Sequence, residues 1–326
     1  MAVKFKKEQI IKKILITGGL GFIGTSLAKA LEKLDYKIIL FDIVDNNKNN
    51  KFYLNYKNIS FIKGDTNDTK LLTTLLNENE FDGIIHLAAV SRVVVAQTNP
   101  DECIRTNIEG TKSLLQALTN ISNKNKPWLI FGSSREVYGE PKKLPVKESF
   151  EKKFVNIYGD SKIQGENLFT SFAKTNGNNC LILRFANVYG NQYDLFDRVI
   201  PRFIYAIKNN KALTIEGGGQ IIDFTYIDDT IDTIIKAIVY MENNRDIIDD
   251  FHILPGIGWS LYQLISYIEK ILGKKAIIHI NDKRDYDVEK FIGDTDKMKT
   301  ILKSKKFLTL EEGLMLAIPS YLKEMK

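Results

Sequence analysis

Tyr158 and Lys162, in Tyr-Gly-Asp-Ser-Lys, are four residues apart. On a helix that spacing puts them on one face. A phenol is neutral at pH 7. An ammonium beside it favours the phenolate and makes the tyrosine a usable base for a hydroxyl proton. Such pairs are common by chance, so this one draws meaning from its neighbours. Upstream stands Phe131-Gly-Ser-Ser134-Arg-Glu136-Val-Tyr-Gly139. There Ser134 ends an apolar run and offers a hydroxyl to the oxygen that Tyr158 would deprotonate; Tyr138 reads as structural.

A second constellation lies near the start, in Ile14-Leu-Ile-Thr-Gly-Gly-Leu-Gly-Phe-Ile-Gly24. An apolar, β-branched run feeds Gly18, Gly21 and Gly24, and a helical pattern follows. Strand, glycine turn and helix N-terminus in that order cradle a phosphate. Gly18 permits the turn, Gly21 lets the backbone approach a pyrophosphate, and Gly24 seats the helix close to the strand. Phe22 and Ile23 lie within the same cradle. The next apolar run ends in Asp42, about 20 residues on, where an acid binds ribose hydroxyls. A carboxylate there repels a 2′-phosphate, and no arginine follows nearby, so the expected cofactor is NAD. Its positive nicotinamide would further favour the Tyr158 phenolate.

Elements able to position these groups alternate through the first half. Apolar runs fall at 13–17, 37–42, 59–62, 83–88, 127–133 and 179–185, with helical patterns at 22–34, 68–78, 100–122 and 158–176. The fold class is therefore α/β: a doubly wound parallel sheet of Rossmann type, with helices on both faces. Ligands bind such sheets at the carboxyl ends of the strands. After about residue 187 the pattern changes to a helix at 199–209, a strand Leu213–Glu216 and the loop Gly217-Gly-Gly-Gln220. The expected division is a dinucleotide-binding domain over 1–187, rejoined by about 223–250, and a smaller, interleaved α/β substrate domain mainly over 188–326. Asn and Lys enrichment at 45–58 and 120–126 marks exposed loops.

The 326 residues are 44% hydrophobic, enough for a buried core. The net charge of +6 comes mostly from scattered lysines, some clustered near Lys4–Lys13 and Lys303–Lys306. No basic stripe interleaved with aromatics marks a nucleic-acid groove, so no nucleic-acid partner is expected. Cys103 and Cys180 have no metal-type spacing, and neither a metal nor a disulfide is expected. No segment reads as a signal peptide or approaches the roughly 20 apolar residues of a membrane span. The expected location is the cytoplasm, with no membrane partner.

These residues together resemble an extended short-chain dehydrogenase/reductase of the nucleotide-sugar epimerase and dehydratase branch. The resemblance runs from about residue 12 to 316. It includes the glycine turn, Asp42, Gly64-Asp65, His86-Leu-Ala-Ala89, Asn107 within Thr-Asn-Ile-Glu-Gly-Thr111, Ser134, Tyr158 with Lys162, Arg184-Phe-Ala-Asn-Val-Tyr-Gly190 and the segment Gly218–Asp229. It implies a catalytic triad of Ser134, Tyr158 and Lys162. It implies cofactor contacts at Asp65 (to the adenine), Thr66, Leu87, Ala88, Ala89 and Asn107. The implied partner is a nucleotide-diphosphate sugar. It would be held by Asn187, by the segment from Val199 through Gln220 with Arg202, by Arg135 beside the triad, and by Arg284 as a diphosphate clamp.

Two positions depart from the pattern. Ile222 stands where the family often has an arginine, leaving Arg284, with Arg198 or Arg202, to hold a diphosphate. At 135–136 the dehydratases of the branch carry an acid pair; this chain has Glu136 but Arg135, and arginine cannot serve as an acid. Glu136 is either an active base or the partner of a basic neighbour. The expected activity is an NAD-dependent nucleotide-sugar 4-epimerase. Its alternatives are a 4-dehydrogenase or 4-ketoreductase, a 4,6-dehydratase using Glu136, and, more remotely, a non-catalytic NAD-binding regulatory protein. A homodimer is expected from apolar residues beyond one helix face: Ile104, Ile108, Leu114, Leu115, Leu118, Ile163, Leu168, Phe169 and Phe172.

Overall fold

A computed structural model describes residues 11–44, 51–121 and 126–325. Its centre is a seven-stranded sheet. Six strands come from the first half: β1 (Lys13–Thr17), β2 (Lys37–Asp42), β3 (Ile59–Lys63), β4 (Gly83–His86), β5 (Trp128–Ser134) and β6 (Cys180–Phe185). The seventh is Ile248–Ile253, and the spatial order is Ile248–Ile253, β6, β5, β4, β1, β2, β3. Every pairing is parallel. Near-continuous apolar runs form these strands because both faces are buried. Ile14 and Ile16 of β1 face one packed layer and Leu15 the other. The strand order reverses between β1 and β4, which opens a crevice at their carboxyl ends.

Helix α1 (Phe22–Glu32) links β1 to β2, and α2 (Thr69–Glu78) links β3 to β4. Asp68 caps α2 by accepting from Leu71 N–H. The helical pattern expected over 100–122 is broken: Pro100–Ile104 and Gly110–Thr119 flank a wide π-turn, Arg105–Glu109. The long helix Ile157–Asn176 starts at Asn156, whose side chain accepts from Gly159 N–H, and ends at Gly177 in the left-handed region.

Beyond β6 the chain builds a cap. Helix Val199–Lys208 packs beside a parallel pair, Ala212–Glu216 with Ile277–Asn281. A second pair, Ile221–Asp223 with Gly258–Ser260, is antiparallel. Between these pieces the chain returns to the sheet: Ile227–Asn243 packs on α1, and Ile248–Ile253 lies beside β6. That strand carries Asp249 and Asp250, which masks it in the sequence. Their charges are met by Lys297, and Asp250 also accepts from the fully buried Arg184 at 2.7 Å. Glu166 holds the same guanidinium through two contacts of 2.8 Å.

The apolar residues expected on a partner-facing surface mostly turn inward. Ile108, Leu114, Leu115, Leu118 and Phe169 are buried within the protomer, whereas Ile104 is exposed. Both cysteines are buried free thiols. Among the described residues no helix is long and apolar enough to cross a membrane. The basic residues Lys4, Lys6 and Lys7 and the loop 45–50 lie outside the described residues.

Candidate active site

A cleft of about 930 Å³ runs along the carboxyl ends of the strands. One end is the glycine turn. Gly18 has φ +66°, and a Cβ there would lie 2.6 Å from Ala88 N. A Cβ on Gly24 would lie 2.5 Å from Gly18 O, so the third glycine seats α1 against the turn. Gly21 begins α1 without any side-chain cap, leaving first-turn N–H groups of Phe22, Ile23 and Gly24 to an anion in the cleft. Asp42 Oδ2 accepts from Leu20 N–H at 3.0 Å and Oδ1 from Val44 N–H at 3.1 Å. Burial raises its carboxyl above the usual range, while these N–H groups oppose the rise. A backbone that leaves no room for side chains, an uncapped helix and a carboxylate at the end of the adjacent strand fit a dinucleotide.

Thr66, Leu87, Ala88 and Ala89 also line the cleft. So does Asp65, but its carboxylate is already engaged, by Asn67 on Oδ1 and by Arg105 at 2.8 Å on Oδ2. Burial works against its ionisation, yet the Asn67 and Arg105 contacts hold it below the usual carboxylate range.

At the middle of the cleft β5 delivers Ser134 and the helix Ile157–Asn176 delivers Tyr158 and Lys162. Two glycines press this helix against the strand. A Cβ on Gly159 would lie 2.6 Å from Glu136 O, and one on Gly165 2.3 Å from the Phe131 ring. Burial pushes the Tyr158 phenol up to about 12, opposed by its hydrogen bond with Ser134. Burial pushes Lys162 down to about 8. Its ammonium donates to Gly132 O at 2.8 Å and lies 5.0 Å from the Phe131 ring centre. Its Nζ lies 5.8 Å from the centre of the Tyr158 ring.

Glu136 and Arg135 face the same space. They form an ion pair at 2.8 Å, and Glu136 Oε2 accepts from Asn156 Nδ2 at 2.9 Å. Both open readings of Glu136 therefore meet one geometry, in which each carboxylate oxygen already holds a donor.

The cap supplies the far wall with Asn187, Val199, Arg202, Gln220 and Arg284. Asn187 sits at φ +29°. The helix Val199–Lys208 begins without a side-chain cap. Arg284 is held by Asp287 through Nε at 2.8 Å and Nη2 at 2.7 Å. Arg202 donates to Thr214 O at 3.2 Å. Burial, and then the charge of Arg284, lowers the Arg202 pKa. Two guanidinium groups thus face one region, which suits a multiply charged anion. Ile222 lines the same wall as a half-buried apolar residue.

Asn107 does not line the cleft; it is 2% exposed. Its Oδ1 accepts from Val90 N–H at 2.7 Å, and its Nδ2 donates to Val90 O at 3.1 Å and Ser161 Oγ at 2.9 Å. Its amide ties the chain after β4 to the helix Ile157–Asn176. Two cleft residues, Arg92 and Arg105, escaped the sequence reading, because isolated arginines in loops and helix turns carry no spacing signal. Arg92 pairs with Asp197 across the mouth of the cleft.

Comparison with known proteins follows this geometry. The NAD dependent epimerase/dehydratase family profile matches residues 14–248. A UDP-glucose 4-epimerase of Lactobacillus helveticus is 28% identical over 307 residues, covering 89% of this chain and 91% of that one. A dTDP-D-glucose 4,6-dehydratase of Dictyostelium discoideum is 35% identical over 244 residues, 69% of this chain and 55% of that one. The solved UDP-glucuronic acid 4-epimerase from Bacillus cereus, in complex with UDP-glucuronic acid and NAD, is 30% identical. It superposes with a TM-score of 0.87, covering 96% of this chain and all (100%) of that one.

Proposed function

Because the chain belongs to the NAD dependent epimerase/dehydratase family, we propose that this NAD-dependent enzyme is a nucleotide-sugar 4-epimerase. The observation that carries the reading is the meeting of Ser134, Tyr158 and Lys162 in one cleft beside a Glu136 whose two oxygens are already engaged.

NAD, when bound, supplies the acceptor for hydride leaving the sugar C4 and the donor for its return. Gly18, Gly21 and Gly24 with the start of α1 hold the diphosphate of the cofactor, and Asp42 its ribose diol. Tyr158, as phenolate, takes the proton of the sugar 4-hydroxyl and returns it after the 4-keto sugar has turned over. Ser134 donates to the same oxygen and keeps it facing the phenol. Lys162, together with the positive nicotinamide of bound NAD, would favour the phenolate against the burial that otherwise keeps the phenol neutral. Arg284 and Arg202 hold the substrate diphosphate, the task left to them by Ile222. The same reading includes a homodimer through the helical stretches 100–122 and 158–176, supported by exposed Ile104 and half-buried Ile163, Leu168 and Phe172; sedimentation tests it.

The engaged state of Glu136 favours epimerisation over elimination, since a base already bound by Arg135 and Asn156 is a poor acceptor for a C5 proton. Incubation with a panel of UDP-, dTDP- and GDP-sugars decides. Unchanged mass with inverted C4 supports the proposal. Loss of water assigns a dehydratase, and a ketone with reduced cofactor a dehydrogenase. NAD binding without any turnover would leave a regulatory binding protein.

A further inference from the structure

His86, the last residue of β4, is 1% exposed and does not line the cleft. Its ring stacks on Phe169 of the catalytic helix at 5.6 Å and 17°. Both ring nitrogens are bonded: Nδ1 to Thr17 Oγ1 at 2.7 Å and Nε2 to Thr111 Oγ1 at 3.0 Å.

The direction of each bond follows from the groups around it. Thr111 Oγ1 lies 2.6 Å from Asn107 O, a carbonyl that can only accept, so the single Thr111 proton goes there. His86 Nε2 must then carry a proton and donate to Thr111. At the other end Ala88 N–H donates to Thr17 Oγ1 at 3.4 Å, and the Thr17 proton is directed to a bare Nδ1. The neutral ring, protonated at Nε2, satisfies every member. Burial and the neighbouring charge of Lys162 both oppose an imidazolium.

The chain of contacts continues on both sides. Thr17 immediately precedes Gly18, and Ala88 touches the space that a Gly18 Cβ would fill. Beyond Thr111, Asn107 Nδ2 donates to Ser161 Oγ, whose hydroxyl donates to the Tyr158 carbonyl at 2.8 Å. One hydrogen-bonded path thus joins the glycine cradle to the backbone of the catalytic tyrosine.

We propose that His86 is a positioning residue: held neutral with its proton on Nε2, it fixes the dinucleotide cradle in register with Tyr158. It touches neither ligand. This rests on the functional reading above only for its catalytic consequence; the tautomer and the cofactor affinity stand independently of it.

The chain has three histidines, His86, His252 and His279, so ¹⁵N-histidine NMR resolves each. His86→Phe, which keeps a ring against Phe169, assigns the signal. If that variant does not fold, Thr111→Val assigns it by perturbation. The expected His86 signal shows a protonated Nε2, a bare Nδ1 and no titration between pH 5 and 8. A protonated Nδ1, or titration near the ordinary histidine value, overturns the proposal.

Thr17→Val is expected to weaken NAD about tenfold. Thr111→Val is expected to lower kcat about tenfold with KM for the nucleotide sugar within twofold, and Thr111→Ser to restore it. Unchanged NAD affinity in the first, or unchanged kcat in the second, also overturns it. If the wild-type chain turns over no nucleotide sugar, the functional reading fails, while the NMR and NAD-affinity results still decide the role of His86.

Discussion

Lys162 Nζ sits 5.8 Å from the centre of the Tyr158 ring and gives its hydrogen bond to Gly132 O instead. The ammonium is thus anchored to β5, while the Tyr158 hydroxyl meets Ser134. Anchoring keeps the cation at a fixed distance when the tyrosine proton leaves.

Replacing Tyr158 with Phe removes the base and leaves the ring packing intact. The expected loss in kcat is about 10²- to 10⁴-fold, with NAD affinity unchanged. Steady-state turnover and a cofactor titration on the same sample check both halves; retained turnover would remove Tyr158 from the mechanism.

The pH dependence follows from the Lys162 environment. Burial brings its pKa down to about 8, so the ammonium is present below that pH and lost above it. Activity should therefore fall as pH rises through about 8. Lys162→Arg keeps its charge there and should move the fall upward, whereas Lys162→Met should be poor at every pH. A kcat profile from pH 6 to 10 for the three proteins reads this directly.

Glu136→Gln leaves the Arg135 guanidinium, 12% exposed, without its counter-charge. Removing one partner of a buried pair costs about 3 kcal/mol. The expected result is a lower melting temperature with the product still isomeric with the substrate. Loss of an eliminating activity in this variant would assign Glu136 to C5 chemistry instead.

Arg284→Lys keeps the charge but loses the fork that Asp287 orients. KM for the nucleotide sugar should rise about tenfold with kcat nearly unchanged, since a charge-assisted hydrogen bond contributes about 1.5 kcal/mol or more. Arg202→Leu should act in the same direction. A change in kcat alone would place these groups at the reacting carbon rather than at the diphosphate.

His86 also links folding to pH. Its pKa is depressed from 6.5 to about 3 by burial and by Lys162. The unfolded chain takes up the proton first as pH falls. The stabilisation is thus complete above pH 6.5 and is lost progressively towards pH 3, at roughly 1 kcal/mol per pH unit. Urea unfolding at several pH values should show a shallower acid slope in His86→Phe than in the wild type.

The sheet was legible because burial on both faces makes parallel strands into apolar runs, and β1 to β6 follow them. Ile248–Ile253 was not, because Asp249 and Asp250 break its run and their compensation comes from distant Lys297 and Arg184. The glycines were readable because each absent Cβ answers a local backbone demand. The duty of Asn107 was not: an amide can face a ligand or a neighbouring loop, and only packing decides. Leu114, Leu115 and Leu118 look surplus on one helix, yet they join one buried layer with Leu72 and Leu75 of α2, Leu129 of β5 and Phe169. Arg135 and Glu136 are adjacent in sequence, but nothing in their order says that they bind each other.

Because the Ile248–Ile253 strand is woven into the sheet, and its Asp250 meets the Arg184 guanidinium, the cap is no detachable module. A chimera that borrowed the cap of a relative from residue 188 onward would also import a foreign edge strand. Without an acid at the 250 position, Arg184 would keep Glu166 but lose its second carboxylate, and Lys297 would lose one of its two.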